Sequence, residues 1–195
     1  MIDVGCARGL LGQEMQATGW RVLGVEVDDA DAKLAAAILT RVHHGTLDTL
    51  LGTIGEPVEA IVFADVLEHL VDPVAALTTA HTLLERGGRL IVSIPNVAHA
   101  SMRWSLMRGR FDYTDRGILD RTHVRFYTKR TAVALVQEAG FTIERIWGAP
   151  APIELVWPRL ESSALGRTLL RVNDGLPRLW PNMFAYQILI SATRT

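Results

Sequence analysis

The chain of 195 residues is 49% hydrophobic and 21% charged with a formal net charge of −1, the composition of a globular domain rather than of a disordered, fibrous or strongly basic chain. A chain of this size buries roughly 70% of its unfolded surface without cross-links, and a single cysteine, Cys6, excludes an internal disulfide framework and any cysteine-based zinc site. With no secretory leader and no uncharged apolar run of membrane-spanning length, one domain over residues 1–195 in the cytoplasm is expected.

In chain order, Met1–Val4 reads as a strand, Leu10–Thr18 as a helix, Arg21–Val27 as a strand and Asp29–Leu39 as a helix, a βαβα alternation. Val58–Ala64 is the next buried strand. Asp72 and Pro73 open a helix that runs to Leu84 before Gly87-Gly88, because an aspartate cap satisfies a free backbone N–H and proline at the first helical position has none to lose. Arg89–Ile94 reads as a core strand stopped by Pro95. Ala132, Leu135, Val136 and Ala139 share one helical face between Thr128 and Gly140, and Phe141–Trp147 and Met183–Ser191 supply two further strands.

Two stretches interrupt this rhythm. Residues 97–127 are rich in arginine and aromatics without a clean period, and residues 150–181 hold five of the eight prolines around a helix over Ser163–Val172. Both read as insertions decorating a sheet, the first as a cap over a substrate. Residues 101–130 carry eight Lys or Arg against three Asp, an excess of five positive charges, whereas the remainder has an excess of six negative ones. Such a stretch suits an anionic small molecule, because guanidinium forks match phosphate and carboxylate; ion pairs with Asp112, Asp115 and Asp120 would equally occupy it. Nucleic acid is not expected, since the chain as a whole is not basic. Trp147, Trp157 and Trp180 mark an apolar surface for core packing or for a partner or lipid-side contact.

The opening Ile2-Asp3-Val4-Gly5-Cys6-Ala7-Arg8-Gly9 places a carboxylate at a strand end, then small residues that let a ligand approach the main chain, then a helix. Glu26, seventeen residues past Gly9, ends the second strand where it can accept hydrogen bonds from a ribose diol. Asp3 discriminates among adenosine cofactors, because a carboxylate would repel the pyrophosphate of a dinucleotide and favour the cationic amino group and sulfonium of S-adenosylmethionine. No GxxxxGK[ST] string is present, which excludes a P-loop.

The strings IDVGCARG, GVEVD, ADVLEHLVDP, LLERGGRLIVSIPNVAH and GRFDYTDRGILDRTHVRFYTKRT, in this order, resemble the class I SAM-dependent methyltransferases. Within that family the chain is similar to the bacterial branch of ubiquinone-biosynthesis and sugar- or glycan-modifying O-methyltransferases, over residues 1–147 and a final strand. The resemblance implies an α/β Rossmann-like fold: a mostly parallel seven-stranded sheet, antiparallel last strand, helices on both faces. It implies S-adenosylmethionine as cofactor, held by Asp3, Gly5, Cys6, Ala7 and Gly9 at the turn, by Glu26 and Val27, by Leu47 or Asp48 toward the adenine, and by Ala64 and Asp65 beside the methionine portion. Ala7 replaces a usual glycine, and Thr46 stands where an acid is usual. Family members normally carry a helix before this first strand, so a truncated start, or a lid supplied from elsewhere, is expected.

Methyl transfer to an oxygen benefits from a base. His123 and His69 are the candidates, since a histidine titrates near neutrality. Asn96, Arg121, Arg125 and Tyr127 are candidate substrate contacts. Asp65 and Asn96 are oxygen donors of the kind magnesium accepts, but without a third carboxylate no metal is expected. No asparagine-proline-proline-aromatic string follows the fourth strand, which argues against adenine N-methylation in DNA. The expected function is methyl transfer to a hydroxyl of a small or glycan-type, anionic acceptor. The alternatives are C-methylation of a quinone-like ring, a non-catalytic SAM-fold binding module, and a nicotinamide-dependent oxidoreductase.

Overall fold

The structure, a computed structural model, describes residues 1–153, 157, 159 and 162–195. Among them are seven strands in one sheet of order β3-β2-β1-β4-β5-β7-β6: β1 (Ile2–Val4), β2 (Leu23–Glu26), β3 (Arg41–His44), β4 (Val58–Ala64), β5 (Leu84–Pro95), β6 (Phe141–Ala149) and β7 (Gln187–Arg194). The first five are mutually parallel, and β7 inserts antiparallel between β5 and β6. The chain winds outward from β1 to β3, then crosses back to β4. The crevice between the carboxyl ends of β1 and β4 is therefore the topological switch point at which open α/β sheets bind ligands.

Local chemistry sets the helices. Asp28 caps α2 (Asp29–Ala36) by accepting from the Asp31 N–H, and Asp72 caps α3 (Pro73–Leu83) by accepting from the Ala75 N–H. Helix α1 itself covers Leu10–Ala17 behind the left-handed Gly9. Helix α5 (Lys129–Glu138) opens on a reciprocal Thr128–Thr131 box, as the pattern around Thr128 predicts. Leu77, Ala80 and Leu83 of α3 and Ala132, Leu135 and Val136 of α5 complete a large core with Ile2, Ile61, Phe63, Leu90 and Ile190, whereas Ala35 of α2 joins Cys6, Val22 and Leu39 in a separate cluster.

The irregular stretches contain more order than their composition predicts. Helix α4 (Ala100–Met107) follows β5, and Met102 packs with Ile118 and Leu119 in a third small core. The segment then returns to the sheet. An Asn96–Tyr127 bridge closes its base, and the Val124 and Arg125 N–H groups donate to the Glu68 carbonyl at 2.9 and 3.1 Å. Helix α6 (Ala164–Leu179) runs seven residues beyond the predicted Val172, through Pro177, whose buried ring packs against Gly148. Strand β7 starts at Gln187 rather than Met183, because Pro181 at a first helical position turns Pro181–Phe184 into a short helix. Part of the proline-rich stretch predicted over 150–181 lies outside the described residues. No described helix is long and apolar enough to cross a membrane.

Candidate active site

The β1–α1 turn is built on backbone that glycine tolerates and other residues resist. Gly5 has φ 65° and Gly9 φ 83°, and a Cβ on Gly5 would lie 2.6 Å from Val66 Cγ2. Ala7 sits at φ 44°, carrying a strain that a glycine there would avoid. Its N–H donates to Glu26 Oε2 at 2.8 Å, while Glu26 Oε1 accepts from the Val27 and Asp28 N–H groups at 2.8 and 2.9 Å. Three of about four acceptor positions on that carboxylate are thus engaged, leaving one toward a ligand.

Asp3 is buried beneath this turn, and its Oδ2 has no hydrogen-bond partner. Burial pushes its carboxyl up to about 6, against the stabilising Gly12 N–H and with a smaller contribution from the Glu26 charge. Cys6 offers a ligand little: its side chain is packed in the α2 cluster, and burial raises its thiol to about 11.

Beside the turn lies a cleft of about 510 Å³. Gly5, Glu26, Val27, Leu47, Asp48, Asp65 and His69 all line it, as do Gly45, Thr46, Leu70, Val71 and Ala75. Of the predicted cofactor residues, Asp3, Cys6, Ala7, Gly9 and Ala64 do not line it. Asp65 has φ 55°, which turns the chain sharply after β4, and the enclosing walls raise its carboxyl above the usual range, opposed by a hydrogen bond from Gln187 and by His123 and His69.

The two candidate histidines meet. Their ring centroids are 4.8 Å apart, edge to face. His69 Nδ1 lies 3.2 Å from the Thr122 carbonyl and His123 Nδ1 lies 3.1 Å from the Ile118 carbonyl, so each Nδ1 donates to a carbonyl and each Nε2 is left free of that bond. They differ in access. His69 is exposed to the cleft, whereas His123 is 9% exposed, does not line it, and places Nε2 3.9 Å from Oε1 of the fully buried Glu68. Both Glu68 oxygens lack hydrogen-bond partners, and burial pushes this carboxyl up to about 8. Sequence reasoning missed Glu68 as a site residue, because nothing in an acid followed by a histidine announces that the acid is sealed inside. Glu68, His69 and His123 also have ligand-type atoms within 4.8 Å of one another, a donor set a divalent ion could use.

None of the four predicted substrate contacts lines the cleft itself. Asn96 is fully buried: its Nδ2 donates to the Ala185 carbonyl at 2.8 Å and its Oδ1 accepts from the Ala98 N–H at 3.0 Å. It pins the base of the 97–127 segment. Arg121 pairs with Asp115 at 2.9 Å on the exposed surface, and Arg125 donates to the carbonyls of Leu70 and Val71 at the cleft rim. Tyr127 is buried with an unpartnered hydroxyl, its pKa raised by burial.

The chain is 30% identical over 147 residues to a ubiquinone biosynthesis O-methyltransferase of Cereibacter sphaeroides, covering 72% of this chain and 59% of that protein. It thus spans less than two thirds of the curated relative it matches. Its fold is similar to that of a SAM-dependent methyltransferase from Archaeoglobus fulgidus (TM-score 0.68, 18% identity, 98% of this chain and 84% of that one) and of a magnesium protoporphyrin IX methyltransferase from Synechocystis with bound SAH (TM-score 0.63, 16% identity, 100% and 73%). A family model described as "Methyltransferase domain" matches residues 1–146, and the chain belongs to that methyltransferase family.

Proposed function

We propose that the cleft binds S-adenosylmethionine and that the chain transfers its methyl group to a hydroxyl of a small acceptor. The observation that carries this reading is the convergence of Gly5, Glu26, Leu47, Asp48, Asp65 and His69 on one cavity at the sheet's switch point. The residues fit the cofactor. Gly5 presents bare backbone, Glu26 keeps an acceptor for a ribose hydroxyl, Val27 and Leu47 give apolar surface for a base, and Asp65 with the buried, unpartnered Asp3 sets a negative field for a cationic amino group and sulfonium.

When bound, S-adenosylmethionine supplies an electrophilic methyl on a positively charged sulfur. His69, its ring held by the Thr122 carbonyl, would take the acceptor's hydroxyl proton at Nε2 during that transfer. His123 and Glu68 position that ring from behind. Residues 97–127, anchored to Glu68 by Val124 and Arg125, cap the acceptor side.

The positive charge of residues 101–130 supports a glycan-type, anionic acceptor met by Arg125 at the rim. C-methylation of a quinone-like ring is the second reading, supported by the apolar wall of Leu70, Val71, Ala75 and Ala76. Calorimetric titration with S-adenosylhomocysteine tests the core of the proposal. Binding by the wild type, its loss in Glu26→Ala and no heat with NAD are expected; a folded chain that takes up no S-adenosylhomocysteine would overturn it. Product mass and NMR from an acceptor screen then separate O- from C-methylation.

A further inference from the structure

Helix α6 presents three distinct faces. Gly166, Leu170, Asn173 and Pro177 form the one turned to β6: Gly166 and Pro177 are buried, and Asn173 Nδ2 donates to the Ala151 carbonyl at 2.8 Å. Leu165, Leu169, Val172, Leu176 and Leu179 recur at intervals of four and three and form a second face, about 21 Å long at 1.5 Å per residue. Most of that face is open: Leu165 is 71% exposed, Leu169 48%, Val172 50% and Leu179 84%, with Leu176 half-buried between them, and none of the five enters an apolar core cluster. Trp180, 56% exposed, ends the stripe. Arg171 and Arg178 lie on the opposite shoulder, both exposed and, among the described residues, without an ion pair.

We propose that α6 docks the chain on an anionic lipid surface, lying in the interface plane with the leucine stripe at the acyl boundary and Arg171 and Arg178 on headgroup phosphates. A short helix with a continuous apolar face, arginines on the polar side and a tryptophan at its end is the pattern of interfacial helices. Its charges and length keep it from spanning. Charge selects the occupant. Asp174 is the only acid in α6, so a second copy paired through the stripe brings no acid to Arg171 and Arg178, whereas an anionic bilayer answers the stripe and these two arginines together. The docking surface lies on the β6 side of the sheet and uses no residue of the cleft, so the test stands apart from the cofactor reading.

The test is co-sedimentation of the full 195-residue chain with vesicles of phosphatidylcholine alone and of phosphatidylcholine with phosphatidylglycerol, alongside analytical ultracentrifugation. The wild type should bind the phosphatidylglycerol vesicles, more weakly as salt rises, and the neutral ones far less. Arg171→Gln with Arg178→Gln should weaken binding about thirtyfold, at roughly fivefold per charge, and Leu169→Glu with Val172→Glu should abolish it, with circular dichroism unchanged because all four side chains are exposed. A folded wild type that ignores both vesicle types, binding untouched by the glutamate pair, or a lipid-indifferent dimer that the glutamate pair dissociates would each overturn the proposal, the last in favour of a second copy as occupant.

Discussion

The imidazoles of His69 and His123 meet edge to face at 4.8 Å although one follows β4 and the other lies deep in the 97–127 segment. Only His69 opens onto the cleft, and its Nδ1 is committed to the Thr122 carbonyl. His69→Gln should therefore lower methyl transfer to a hydroxyl by about 10²–10⁴-fold and leave S-adenosylhomocysteine affinity unchanged. His123→Gln should give a smaller loss and shift the pH profile, since its partners are protein groups. Steady-state turnover over a pH series checks both.

Asp3 opposes stability to ligand binding. Its carboxyl rises from 3.8 to about 6 on folding, so the folded chain holds this proton more tightly than the unfolded one. The stability it contributes is full below the unfolded value, falls as pH rises through the window from 3.8 to about 6, and is absent above it. Asp3→Asn should stabilise the unliganded chain by up to about 3 kcal/mol above that window while weakening S-adenosylhomocysteine binding. Urea denaturation at several pH values should show the gap between variant and wild type closing in acid; a gap independent of pH would refute the assignment.

Ala7 is exposed and occupies left-handed backbone at φ 44°. Ala7→Gly should raise stability by about 1 kcal/mol, the relieved strain outweighing glycine's greater freedom in the unfolded chain. Thermal unfolding measures it, and a lower melting temperature would contradict the strain.

Asn96→Ala leaves the Ala98 N–H and the Ala185 carbonyl without their buried partner. The expected cost is about 1–3 kcal/mol of stability, with acceptor KM unaffected in the folded variant. A rise in KM without loss of stability would restore the substrate contact that the sequence suggests.

The βα alternation at the start, the strands β4 and β5, the glycine turn, Glu26 at the end of β2 and the caps at Asp72 and Thr128 were legible in the sequence, because turns, caps and periodicities act within a few residues, whereas β3 and α4 were not. Pro181 shows the limit of that reading: a β-rich run after Met183 looked continuous, yet one proline converted its start into a helical turn. The same limit explains Asn96, an apparently ligand-like amide at a strand end whose partners, Ala185 above all, lie far along the chain. Which of two histidines reaches the cleft, that Glu68 is sealed without a partner, and that the leucines of α6 stay uncovered were decided only by tertiary packing. Burial and the direction of a side chain depend on which distant segment arrives to cover it, and no local pattern of residues carries that information.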